Sequence, residues 1–331
     1  MKWISFPDDS IAVHGLPWFD LNKPSLSRLL IERKNAYREP VWDLSQNPAG
    51  GRLRFSTDST VVGIEAKSAD YDVMDHITRI GQSGFDIYVD GLFMGSVSPD
   101  ASTKVYAEWQ VGSSKAVRNI EINMPLYKDV DIKAIGINDE SCITPAKPFA
   151  LDKPVVFYGS SITQGGCAAT PGTSYQSFIS RWLNVDFVNL GFSGNGMGEP
   201  ELAQAVSEIP ASCIVLDHWG NILDGYGPNL PGFCSTIREK QPSTPIVVAT
   251  PFFYCTDHID PTLHNKIRED AHKFVRNSRR KGDSNMHFLD GLNLLGPDET
   301  FGLVDGVHPI SLGFYLIAKG FVPILKKVLS L

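Results

Sequence analysis

The chain has few cysteines, and none is placed to build anything with another. Five occur in 331 residues, at positions 142, 167, 213, 234 and 255. No two form a C-x-x-C pair and the count is odd, which argues against a disulfide framework or zinc knuckle and for buried, reduced thiols. Long apolar runs are missing as well, and nothing approaches the ~18 residues of a membrane span. The amino terminus, MKWISFPDDSIAVHG, has one lysine but no apolar stretch, and Asp8 and Asp9 interrupt early. The expectation is a soluble chain without membrane insertion, cytoplasmic by default, with secretion or a periplasmic place left open for a trimmed leader. Basic residues form no stripe, and 30 Lys and Arg against 37 Asp and Glu give a net charge of −7, which disfavours nucleic acid as a partner. Repeats and low-complexity tracts are absent.

An apolar content of 42% allows a substantial core, and the length points to two domains. From Arg52 the chain reads as short alternating runs, such as RLRFSTDSTVVGIEAKS, GFDIYVDGLFMGSV, KVYAEWQVG and VDIKAIGIN. Period-two alternation between frequent turns predicts an antiparallel β-sandwich, jelly-roll-like, over residues 1–148. Asp90-Gly91 between two such runs predicts a hairpin. One short helix is expected near residues 25–37, in SLSRLLIERKNAY. The proline-rich TPAKPFALDKP, 144–154, reads as a linker. Beyond it strands (VVFYG, DFVNLG, SCIVLDHWG, PIVVATP, MHFLDG) alternate with helical segments, predicting βαβ units and a parallel sheet over residues 149–331.

Polar clusters fall just after several of these strands, where open α/β sheets place their ligands. The first is Gly159-Ser160-Ser161-Ile162-Thr163-Gln164-Gly165, the second NLGFSGNG with Gly194, the third DHWGN with Asn221; Asp305-Gly306-Val307-His308 precedes the last helix. A serine hydroxyl attacks only when a base takes its proton. Histidine suits that task near neutrality, and a carboxylate three residues away can hold the imidazole. A developing oxyanion needs fixed donors, and a glycine amide, an asparagine carboxamide and the nucleophile's own N–H supply that type of group.

These four blocks, in this order, resemble the SGNH (GDSL-type) hydrolases. The resemblance implies a flavodoxin-like three-layer α/β/α domain, Ser161 as nucleophile, His308 as base beside Asp305, and an oxyanion site made by Ser161, Gly194 and Asn221. No cofactor is expected. Ser160 stands where the family usually has Asp, and "GNI" lacks the Asp that often follows the Asn. A sandwich ahead of such a domain is similar to carbohydrate esterase family two and related acylhydrolases and acyltransferases. The implied activity is hydrolysis of small O-acyl esters, first of all O-acetyl groups, on a small molecule or oligosaccharide. Acyl transfer to a sugar or small-metabolite alcohol is the alternative, and a non-catalytic carbohydrate-binding protein the second alternative; the oligomeric state is not read.

The remaining polar residues have two readings each. Ser160, Glu199, His218 and Trp219 are candidate substrate-lining residues, although a helix-start charge suits Glu199 and a core position suits Trp219. Ser193 reads as a turn residue, because GFSGN is not the G-x-S-x-G elbow. The histidines at 14, 76, 258, 264, 272 and 287 share no ligand spacing and read as surface residues, so no metal is expected. The glycine run after Tyr158 matches neither a phosphate-binding P-loop nor a dinucleotide fingerprint.

Overall fold

A computed structural model describes residues 1–331. The first half forms two antiparallel sheets. One has the strand order Lys2–Ser5, Val130–Ile137, Val61–Ser68, Lys104–Gln110; the other runs Ile143–Thr144, Arg52–Thr57, Arg118–Asn123, Phe85–Val89, Leu92–Val97, with Ala12–His14 also paired to Arg52–Thr57. The predicted hairpin is there: Val89 pairs with Leu92, and Asp90 and Gly91 both take left-handed φ of 50° and 84°, as a two-residue primed turn requires.

Alternation along Arg52–Thr57 shows what each face of that sheet does. Leu53 and Phe55 point into the sandwich core with Ile64, Ile87, Ile120, Ile122 and Ile135. Arg52, Arg54 and Ser56 lie on the opposite face and are buried too, with the Phe149 ring over Arg54 and the second half of the chain over Arg52. Arg52 pairs with Asp186 and stacks over the Phe187 ring at 3.8 Å.

The second half holds a five-stranded parallel sheet in the order Phe187–Gly191, Val155–Gly159, Cys213–Asp217, Ile246–Ala249, Met286–Leu289. Counted along the chain this is 2-1-3-4-5, the flavodoxin-like order, with its reversal between the first and third strands. The four strands from Phe187–Gly191 to Ile246–Ala249 are continuously buried and the edge strand Met286–Leu289 at its two ends, which fits a sheet covered by helices on both faces. The reversal places the carboxyl ends of Val155–Gly159 and Cys213–Asp217 side by side, so the residues after them share one rim.

Two helices depart from expectation. Residues 25–37 form no α-helix, only a 3₁₀ turn at Ile31–Ala36. The segment just before it is pinned instead by Arg28, whose guanidinium donates to the carbonyls of Leu44, Asn47, Asn189 and Gly191 and stacks on Phe192. This tertiary anchoring overrides a weak helical propensity. Conversely, FCSTIREKQ, residues 233–241, reads as helical from its sequence, but the helix begins seven residues earlier, at Tyr226, and carries Pro231 in its interior. Burial of Tyr226, Leu230 and Phe233 outweighs the backbone bond that the proline forgoes.

Packing does not follow the change of texture along the chain. Leu29, Val41, Trp42, Ala49, Ile77, Leu126 and Tyr127, all from the first half, belong to the same apolar core as the parallel sheet. Three cysteines are buried as expected, whereas Cys142 and Cys255 are exposed. No helix is long and apolar enough to cross a membrane.

Candidate active site

The Val155–Gly159 strand ends at a glycine that nothing else could replace. A Cβ on Gly159 would meet Thr163 Oγ1 at 1.9 Å and the Asp217 carbonyl at 2.8 Å. The chain then turns sharply into a one-turn helix, Ser161–Gln164, closed by Gly165 at φ 107°. This corner separates the two serines. Ser160 is buried, and its hydroxyl caps the turn by accepting from the Ile162 amide at 3.4 Å. Ser161 is partly exposed, and its Oγ lies 2.9 Å from His308 Nε2.

His308 is held by its own loop. Asp305 Oδ1 accepts from the amides of Val307 and His308 at 3.0 and 2.7 Å, and Oδ2 lies 2.7 Å from His308 Nδ1. Burial alone would raise the Asp305 pKa; the backbone and ring N–H groups of His308 and the Val307 amide outweigh it and hold the carboxyl below its usual value. An ionised Asp305 therefore fixes the proton on Nδ1 and leaves the Nε2 lone pair facing Ser161.

Two further loops converge on this corner. A Cβ on Gly196 would meet the Gly159 carbonyl at 2.3 Å, and one on Gly220 would lie 3.5 Å from Ser160 Oγ. The amides of Ser161 and Gly194 donate to no acceptor within the protein. Asn221 Oδ1 accepts from the Gly196 amide at 3.0 Å, which turns the Nδ2 donors the other way, again without a partner. Three unspent donors beside an activated hydroxyl suit a tetrahedral oxyanion. Close approach is not why residue 194 is glycine: nothing lies within 4 Å of a Cβ there, but its φ is +67°, a conformation that favours glycine.

The candidate lining residues do other work. His218 is fully buried among Tyr158, Tyr226 and Phe233 and its Nε2 lies 2.9 Å from Asn229 Oδ1. Burial pushes its pKa down to about 4, so it is a neutral core residue. Trp219 is buried as well, and its Nε1 donates to Asp217 Oδ1 at 2.9 Å. Neither can line a substrate. Asp217 also accepts from Thr163 and Tyr175, and burial pushes it up to about 6. Glu199 is held by the Arg38 guanidinium, and Ser160 is the buried cap already described.

The site also contains residues that the sequence reading did not find, all from the first half of the chain. The His76 ring centroid lies 5.9 Å from that of His308. The Tyr127 hydroxyl donates to the Ser161 carbonyl at 3.1 Å. Arg38 donates to the side chain and backbone of Asn195 at 2.9 and 3.3 Å, beside Gly194. No local motif marks them, because only the fold brings them here. His264, read as a surface residue, is buried with its Nδ1 2.7 Å from Asp257 Oδ1.

The corner is open to solvent: the Asp305 and His308 side chains keep 40% and 25% exposure, and the clefts of about 560 and 500 Å³ elsewhere on the surface are lined by none of Ser161, Asp305 or His308.

Residues 152–326 match the GDSL-like lipase/acylhydrolase family, and residues 1–143 match the family described as the N-terminus of SGNH-hydrolase-type esterases. No curated protein matches the sequence. Among solved structures, a protein described as a GDSL-like lipase from Bacteroides ovatus is 28% identical, with a TM-score of 0.89 over 99% of this chain and 98% of that one. The salicylyl-acyltransferase SsfX3 of a tetracycline biosynthetic pathway is 21% identical, with a TM-score of 0.83 over 97% and 95%. A family two carbohydrate esterase from Clostridium thermocellum, solved with cellohexaose, is 17% identical, with a TM-score of 0.65 over 85% and 93%.

Proposed function

The chain belongs to the GDSL-like lipase/acylhydrolase family, and from that premise we propose that it is a serine esterase of small O-acyl esters, first of all O-acetyl groups on carbohydrates, working through an acyl-enzyme on Ser161. The observation that carries the chemistry is the unbroken line from Asp305 through His308 to the Ser161 hydroxyl, at 2.7 and 2.9 Å.

In this reading Ser161 Oγ attacks the acyl carbon while its proton passes to His308 Nε2. The carbonyl oxygen, now an oxyanion, takes the Ser161 and Gly194 amides and Asn221 Nδ2. Collapse breaks the ester C–O bond, and the His308 proton leaves with the alcohol. Water then attacks the acyl-enzyme while His308 takes one of its protons; the acyl–Oγ bond breaks, the His308 proton returns to Ser161 Oγ, and the free acid leaves. Asp305 stays ionised and stabilises the imidazolium in both halves.

Acyl transfer uses the same intermediate with an alcohol in place of water. The open position of His308 favours hydrolysis, since transfer requires water to be kept away. The carbohydrate preference rests on similarity to family two carbohydrate esterases. The test is hydrolysis of p-nitrophenyl acetate by wild type and Ser161→Ala, followed by a panel of acetylated oligosaccharides and short acyl esters with and without acceptor alcohols. Ester consumption by Ser161→Ala at the wild-type rate overturns the mechanism, and acylated acceptors as the main product replace hydrolysis by transfer.

A further inference from the structure

Three arginines, five residues apart, tie the segment between the sandwich strands Ala12–His14 and Arg52–Thr57 to the second βα unit of the parallel domain. Arg28 reaches the end of its strand at Asn189 and Gly191, and Arg33 pairs with Glu208 at the end of its helix. Arg38 reaches the loop between them, Phe192–Glu199. This loop carries Gly194 and has two left-handed glycines, Gly194 and Gly198, so its backbone has alternatives to suppress.

The contacts of Arg38 act on one particular peptide plane. Its guanidinium is donor-only, so the Asn195 atom facing Arg38 Nη1 at 2.9 Å is Oδ1. That turns Asn195 Nδ2 toward the Ser193 carbonyl, to which it donates at 3.0 Å. Ser193 C=O and Gly194 N–H are the two ends of one trans peptide and point in opposite directions. Holding the carbonyl therefore aims the amide. Arg38 Nε also fixes the far end of the loop through Glu199, at 2.8 Å.

We propose that Arg38 is a positioning residue for ester cleavage, which keeps the Gly194 N–H turned toward the oxyanion through Asn195. This rests on the esterase reading above. Its contribution is to geometry more than to stability: Arg38 and Glu199 keep 43% and 17% side-chain exposure, and half-exposed ion pairs add little to folding. The same arm supplies the control. Arg33 and Glu208, at 42% and 16%, form a similarly exposed pair at the far end of the helix, where Lys240 also reaches Glu208, away from the Gly194 loop.

The experiment compares Arg38→Met, Arg38→Lys and Arg33→Met in the full chain, with p-nitrophenyl acetate kinetics, the rate at which a fluorophosphonate labels Ser161, and melting temperature. Loss of one oxyanion donor costs about 10²–10³-fold in kcat, and a donor left free to turn loses part of that. Arg38→Met is expected to lower kcat about 10–100-fold, to slow labelling in parallel, and to leave KM within about threefold. Arg38→Lys, which can serve Asn195 Oδ1 but not both partners, falls between. Arg33→Met keeps kcat within about twofold although both Met variants melt at similar temperatures. Equal kcat in Arg38→Met and Arg33→Met overturns the proposal, as does a loss confined to KM. If Ser161→Ala, run alongside, is inactive in that case, the esterase reading stands and only the role of Arg38 falls; if Ser161→Ala is active, both fall.

Discussion

The parallel domain contains two Asp–His pairs with the same bond and different surroundings. Asp305 and His308 meet at 2.7 Å with side chains 40% and 25% exposed; Asp257 and His264 meet at 2.7 Å with side chains 3% and 7% exposed. In both, a carboxylate holds Nδ1. What differs is what surrounds the rest of the ring. His308 Nε2 faces the Ser161 hydroxyl, whereas the His264 ring is packed between Trp219 and Tyr254, with Arg268 3.7 Å from its aspartate. The pair by itself is a way to fix an imidazole. Chemistry begins where the second nitrogen meets a nucleophile within reach of substrate. The buried pair also supports the exposed one: it secures the Tyr254–Asp257 turn, where Cys255 N donates to the Gly306 carbonyl inside the Asp305–His308 loop.

Exchanging the histidines breaks the comparison most strongly. His308→Gln removes the base and is expected to lower kcat on p-nitrophenyl acetate by about 10⁴–10⁶-fold with the fold intact. His264→Gln leaves Asp257 short of a partner in a buried site, so the expected loss is about 1–3 kcal/mol of stability, while kcat per folded molecule stays near wild type. Kinetics and chemical denaturation on both variants check this. Equal loss of kcat in the two would mean that the buried pair does more than support a loop.

The aspartates follow at smaller scale. Asp305→Asn places an amide where Nδ1 needs an acceptor, favours the wrong tautomer, and should cost about 10²–10⁴-fold in kcat. Asp257→Asn likewise has one oxygen for two donors, the Tyr254 amide and His264 Nδ1, but no nucleophile faces that ring, so it should lower only the denaturation midpoint.

Carboxylates at the two depths also titrate in opposite senses. Asp305 has a folded pKa below its unfolded value, so its contribution is present above about pH 4 and is lost as pH falls through the folded pKa. Asp86 is buried where the sandwich meets the Gly172 turn; it accepts from the Gly172 amide and Asn123, and burial raises it to about 6. There the folded state binds the extra proton, so stability decreases as pH rises from about 4 to about 6. Asp86→Asn should flatten that part of the pH–stability curve and Asp305→Asn should steepen none of it, which melting curves at a series of pH values can show.

The legible part of this molecule was local. Strand texture, the Asp90-Gly91 turn and the four polar blocks are each written within a few consecutive residues, so Ser161, His308, Asp305, Gly194 and Asn221 could be picked out before any coordinates. His218 and Trp219 were left with a lining and a core reading because polarity at a strand end reads as exposure, and the core reading holds, with Asn229 and Asp217 satisfying both. The 25–37 helix failed because Arg28 satisfies four carbonyls across the fold, a demand no periodicity records. His76, Tyr127 and Arg38 were invisible for the same reason: each acts on a loop about 35 to 230 residues away.

His76 provides the smallest and sharpest test of the comparison, because it is an exposed histidine beside the exposed pair and has no counterpart at the buried one. Its segment is tied down on the sandwich side: Gln82 accepts from the Met74 amide at 2.7 Å and donates to the Asp72 carbonyl. The ring therefore stays near His308, tilted by 47°. In the proposed reaction His308 becomes a cation in each half, and a fixed positive charge placed beside it would oppose this. At about 6 Å in a solvent-exposed setting the Coulomb cost is near 1 kcal/mol, a factor of about five in rate, and salt screens it. His76→Gln should therefore stay within about twofold of wild type. His76→Lys should lose about three- to fivefold in kcat at low ionic strength and regain most of it in 1 M salt. A salt-independent loss in His76→Lys would mean that the residue acts by shape and not by charge, and an unchanged rate would place His76 outside the reach of the base.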